Sequence, residues 1–194
     1  MGAPTSTQPG QALVVVDMQH GFIDPSDGAG VPGADAVLRA VHRRVEHAHR
    51  LGWPVLLTRD VDPFGGSGPG LRHDAALHPE LVGKGMVVDK GPGSRGCFSG
   101  FVLMPTAPPA GAGRGGLSDL AARLQKAAVE QVEVVGLAAD VCVSATARDA
   151  RRLGYEVSVD LAASAFVHAH PDGDAAAVAE LQAAGVTVAG EEQR

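Results

Sequence analysis

Hydrolysis of an amide through a covalent intermediate needs a nucleophile, a base, a cation and an anion hole, and this chain places candidates for each just past an apolar run. Asp17 follows ALVVV, Lys90 closes MVVDK, and Cys142 follows VEVVGL across the small-residue turn AADV. Each has an ordinary reading when taken alone: Asp17 as a turn residue, Lys90 as a solvated charge, Cys142 as a small buried hydrophobe. Together they make chemical sense. A thiol near the first turn of a helix and close to an ammonium group is expected to ionise one to several units below its usual value of about 8.5. A carboxylate in reach takes the thiol proton and returns it to a leaving amine. The small residues of GLAADVC let backbone N–H groups approach a developing oxyanion.

The elements that must bring these residues together read as alternating strands and helices. Ala12 to Met18 is a continuous apolar run, as expected of a strand buried on both faces. Pro54 to Asp60, Met86 to Lys90, Val132 to Leu137, Glu156 to Asp160 and Val186 to Ala189 read as further strands. Between them, Ala34 to Gly52 has Val37, Leu38, Val41 and Val45 on one face and Gly52 as a stop, which predicts an amphipathic helix. Helices are also expected over Leu117 to Val129, with Ser118 as the N-cap, over Val141 to Leu153 and over Asp174 to Ala184. This alternation predicts a doubly wound, three-layer α/β/α domain with a mainly parallel sheet. In such sheets ligands bind beyond the carboxyl ends of the strands, where Asp17, Asp60, Lys90 and Cys142 all fall.

Composition excludes several other classes. At 194 residues, with 45% apolar and 20% charged content, the chain is ordinary for a globular domain and does not read as disordered. No apolar run approaches the roughly 18 residues of a membrane span, so no membrane partner is expected. A formal charge of −6 without a basic stripe argues against a nucleic-acid partner. The opening MGAPTSTQPG lacks the basic start and apolar stretch of a secretory signal. Residues 1–10 therefore read as a disordered lead-in, residues 11–194 as a single domain, and the cytoplasm as the expected compartment. Cys97 and Cys142 form neither a C-x-x-C pair nor a metal knuckle and read as free thiols.

ALVVVDMQHGF, DKG and above all VEVVGLAADVCVSATARDARRLGYEVSV resemble the isochorismatase-like cysteine hydrolases, most closely their nicotinamidase branch. That family's G-[LI]-A-T-D-x-C-V reads here as Gly136, Leu137, Ala138, Ala139, Asp140, Val141, Cys142 and Val143. The resemblance implies Cys142 as nucleophile, Asp17 as general base and acid, and Lys90 as the cation that lowers the thiol pKa. It further implies a cis peptide between Leu137 and Ala138, an oxyanion hole from the amides of Ala138 and Cys142, and Phe22 packing on a substrate ring, where the alternative is a core phenylalanine. Nicotinamidases also hold a divalent metal, zinc or manganese, on an aspartate and histidines. Here Asp60 is kept, Asp62 stands where the first histidine belongs, and the segment carrying a further ligand is missing, with His73 as its substitute. The alternative for this segment is a solvated acidic loop. His42, His47 and His49 read as the polar face of the first helix, His168 and His170 flank a turn, and Cys97 has no assigned role.

The leading reading is a cysteine amidohydrolase of a small amide, with nicotinamide as the best single substrate, working as a homo-oligomer (dimer or tetramer). An isochorismatase-type vinyl-ether hydrolase, a redox-sensing thiol protein and a non-catalytic binding module remain as alternatives. The glycine- and proline-rich loops Asp62 to Gly85 and Gly91 to Gly116 are where specificity is expected to lie.

Overall fold

A computed structural model describes residues 10–24, 30–63, 75–104 and 116–190. Strand β1 (Gly10–Val16) leads into a single helical turn α1 (His20–Ile23) and the long helix α2 (Ala34–Leu51), followed by β2 (Val55–Asp60) and β3 (Met86–Lys90). A two-residue antiparallel ribbon, β4 (Val102–Leu103) with β5 (Gly116–Leu117), precedes α3 (Leu120–Lys126) and β6 (Val129–Leu137). A wide π-type turn over Ala139–Val143 opens α4 (Ser144–Arg152), and β7 (Glu156–Ala165), α5 (Asp174–Ala183) and β8 (Thr187–Ala189) complete the order. Six strands form one sheet in the order β3-β2-β1-β6-β7-β8, with every neighbouring pair parallel. Among the described residues no helix is long and apolar enough to cross a membrane.

The unbroken apolar character of β1 has a direct cause. Ala12, Val14 and Val16 pack with Leu120 and Leu124 of α3 and Ala147 of α4, whereas Leu13 and Val15 pack with Val37, Val41 and Val45 of α2. Two cores on two faces need apolar side chains at both parities. Helix α2 runs as its pattern predicts and stops at Gly52, whose φ of 72° suits a residue without a Cβ.

Several boundaries differ from those the sequence predicts. Helix α3 starts later, because Gly116 and Leu117 are drawn into the ribbon with β4. Ser118 still serves that start, its hydroxyl accepting from Leu120 N–H and donating to the Gly100 carbonyl, but Asp119 occupies the N-cap position. Cys142 lies in the π-type turn instead of the first turn of a regular helix. Strand β7 runs on to Ala165, well past Asp160. His42 and His49 are not simply solvated: their Nε2 atoms lie 3.2 and 2.8 Å from the carbonyls of Glu80 and Lys84, tying α2 to the segment before β3.

Strand order reverses where β1 meets β6, and that switch point is where open α/β sheets form their ligand crevice. Gly136 lets the two strands meet there. Its φ is 116°, and a Cβ at this position would lie 2.2 Å from the Val16 carbonyl oxygen.

Candidate active site

Each reactive side chain is delivered by a strand end. Asp17, the first residue past β1, turns out of the strand with a φ of 49°. Lys90 is the last residue of β3, and Cys142 follows β6 through a cis peptide between Leu137 and Ala138. The Lys90 ammonium is sealed from solvent, 2.7 Å from Asp17 Oδ2, 3.2 Å from Cys142 Sγ, 3.3 Å from Asp60 Oδ2 and 2.9 Å from the Phe98 carbonyl oxygen. The three residues singled out by type and spacing therefore meet.

Electrostatics at the thiol run against the expectation from sequence. Burial pushes the Cys142 thiol up, and the charge of Asp17 and a hydrogen bond with it push the same way; Lys90 opposes them without prevailing. The net direction is upward, and sequence alone cannot reveal that burial outweighs the lysine. Burial also disfavours the Lys90 ammonium, but Asp17, Cys142 and Asp60 overcome it and raise its pKa. A lysine without water is kept charged by two carboxylates.

Asp60 was expected to ligate a metal together with Asp62 and His73. His73 lies outside the described residues. Asp60 Oδ2 accepts from Lys90 and, at 2.8 Å, from Gly93 N–H, while Oδ1 accepts from Asp62 N–H at 3.0 Å. Gly91 and Gly93 close around this carboxylate so tightly that a Cβ on either would lie 2.6 Å from one of its oxygens. Among the described residues no three histidine, cysteine or acidic side chains form a metal-holding group. Among those residues Asp60 is engaged by an ammonium and two amides. His78 accepts from Glu80 N–H and lies beside the His20 ring.

Cys142 opens onto a cavity of about 160 Å³ lined by Phe22, Val31, Phe98, Leu137, Val141 and Val167, among others, with Asp60 at its wall. Phe22, Leu137 and Ala138, named from the family resemblance, line this cavity together with Cys142. Cys97, a half-buried free thiol, is not among the residues that line it. A larger, more open hollow of about 270 Å³ sits at the amino ends of β1, β6 and β7, with Gln11, Gln131 and Arg151, on the edge away from the thiol.

Sequence reasoning missed the residues that hold this group in place. Thr58 Oγ1 donates to Asp17 Oδ1 at 2.7 Å and accepts from Asp17 N–H, leaving Oδ2 toward Lys90. Buried Gln19 bonds the N–H and carbonyl of Asp60 and the carbonyl of Ala75, joining the ends of β1 and β2 to the following loop. Asp140 accepts from the N–H groups of Val167 and Ala169, fixing the cysteine turn against the segment after β7. Thr146 Oγ1 donates to the Cys142 carbonyl and accepts from Gly100 N–H. The one available signal for Thr58 was the change from apolar to polar residues within VLLTRD.

The isochorismatase domain profile matches residues 11–193, nearly the whole chain. The chain belongs to the isochorismatase family. Within that family it is 27% identical to the nicotinamidase of Escherichia coli (strain K12) over an alignment 208 positions long, covering 93% of this chain and 94% of that protein. It is 33% identical to the streptothricin hydrolase of Streptomyces noursei over 81% of this chain and 56% of that one. The pyrazinamidase of Pyrococcus horikoshii, solved in complex with zinc, superimposes with a TM-score of 0.74 at 27% identity, covering 94% of this chain and all of that one. The relatives place the chain near the nicotinamidase branch of a hydrolase family.

Proposed function

We propose that this protein is a cysteine amidohydrolase that converts a small carboxamide to its acid and ammonia through a thioester on Cys142, with nicotinamide as the reference substrate. The observation that carries this reading is the contact of Cys142 with Lys90, itself paired to Asp17, at a cavity of about 160 Å³.

In the resting enzyme the thiol keeps its proton and the Asp17 carboxylate sits beside it. As Sγ attacks the amide carbon, the proton passes to Asp17 and the Lys90 ammonium stabilises the growing thiolate charge. The carbonyl oxygen, now an oxyanion, is received by the N–H groups of Ala138 and Cys142. Asp17 then protonates the leaving nitrogen, the C–N bond breaks, and ammonia departs from a thioester. Water, deprotonated by Asp17, attacks that thioester; the carboxylic acid leaves and Cys142 regains its proton. Asp60 serves the lysine in this scheme, so no step passes through a metal.

The test is ammonia release from primary amides in the presence of hydroxylamine. A thioester intermediate diverts part of the acyl group to the hydroxamate while ammonia release continues. Ammonia without any hydroxamate from an accepted amide counts against the thioester, and no ammonia from any amide counts against the reading as a whole.

A further inference from the structure

We infer that the acyl group this site takes is a single compact, uncharged and apolar ring, held by shape rather than by an anchor on a ring nitrogen. The inference rests on the amidohydrolase reading and adds the substrate class to it. Size sets the first bound. A cavity of about 160 Å³ matches the roughly 150 Å³ that suffices for a benzene-sized ligand among apolar side chains. The volume suits one six-membered ring.

Chemistry of the walls sets the second. Phe22, Val31, Phe98, Leu137, Val141 and Val167 supply apolar surface, and the ionisable side chains among the described residues lining the cavity are Asp60 and Cys142. An acyl group bearing its own carboxylate would lose its hydration there and face the negative Asp60 without a cationic partner among those residues. Asp60 is also where the family would fix a metal for a pyridine nitrogen, and here that carboxylate is bound by Lys90, Gly93 N–H and Asp62 N–H. Apart from the Cys142 thiol, no side chain among the described lining residues offers a ring nitrogen a donor in exchange for its hydrogen bond to water. A carbocyclic ring gives up nothing.

The experiment compares kcat/KM for ammonia release from benzamide, nicotinamide, succinamate and N-carbamoylglycine by the full chain, with and without a chelator. Benzamide should equal or exceed nicotinamide, the two anionic compounds should fall about a hundredfold or more below benzamide, and the chelator should leave the neutral amides unchanged. Nicotinamide preferred over benzamide by about a hundredfold, with loss under the chelator, would overturn the inference while leaving the amidohydrolase reading intact. No ammonia from any of the four, while another primary amide is turned over, overturns the inference and leaves that reading; no ammonia from any amide removes both. Val167, which is 37% exposed and lines the cavity, offers a second arm. Val167→Phe should lower kcat/KM for benzamide about tenfold relative to propionamide, with the melting temperature recording that the fold is kept. An unchanged ratio in a folded variant would show that the ring does not bind in this cavity.

Discussion

A buried thiol flanked by a carboxylate and an ammonium separates two properties that are usually treated as one, nucleophilicity at rest and competence in turnover. Asp17 raises the Cys142 pKa by its charge and its hydrogen bond, while Lys90 lowers it. Asp17→Asn should therefore move the alkylation of Cys142 by iodoacetamide to lower pH, even as ammonia release falls by about 10²–10⁴-fold for want of a proton carrier. The pH profile of labelling, followed by peptide mass, checks the first part; a shift to higher pH would contradict the assigned electrostatics. Asp17, Lys90 and Cys142 were legible in the sequence because each closes or follows an apolar run. Thr58 and Gln19 were not, since their partners lie 41 residues away and no periodicity links such pairs. The direction of the thiol shift was hidden for a related reason: it depends on how completely the folded chain excludes water from Sγ.

Elements carry their own demands. The close approach of β1 and β6 at Gly136 leaves no room for a side chain, so Gly136→Ala should separate the strands that frame the site and cost about 3 kcal/mol or more, read from urea unfolding. A variant as stable as the parent would show that the switch point yields. On the other face, Arg44 of α2 reaches Asp160 of β7 and lies 3.4 Å from Glu133 of β6, and burial raises the Glu133 carboxyl despite Arg44. A carboxyl raised in the folded state favours folding below its unfolded value of about 4.3, and that contribution is lost as pH climbs through the raised one. Glu133→Gln should therefore melt like the parent below pH of about 4 and some 2–4 °C above it at neutral pH, Arg44 keeping Asp160. A pH-independent difference would contradict this account. Element types were legible wherever the apolar pattern was long, as in α2. They were misjudged at Leu117, which β4 recruits into a ribbon, and at Cys142, where the wide turn looks in sequence like the start of a helix.

At the scale of the molecule, an all-parallel sheet whose order reverses at β1 and β6 gathers residues from distant parts of the chain onto one edge. The sequence made this architecture readable because two-sided burial writes itself into β1 as an unbroken apolar run. Of the apolar lining beside Cys142 only Phe22, Leu137 and Ala138 were named for the site, through the family resemblance; Phe98, Val141 and Val167 come from separate segments that only the fold unites. The family match fixes a hydrolase of the isochorismatase type, and the arrangement of Cys142, Lys90 and Asp17 turns that match into a specific claim, that the reaction proceeds through sulfur. The measurement that tests it most directly is ammonia release by Cys142→Ala beside the parent protein, on whichever amide the parent turns over fastest. A fall of about 10⁴-fold or more, with an unchanged melting temperature, is the predicted result. A variant that keeps its rate to within about tenfold would contradict covalent catalysis at Cys142.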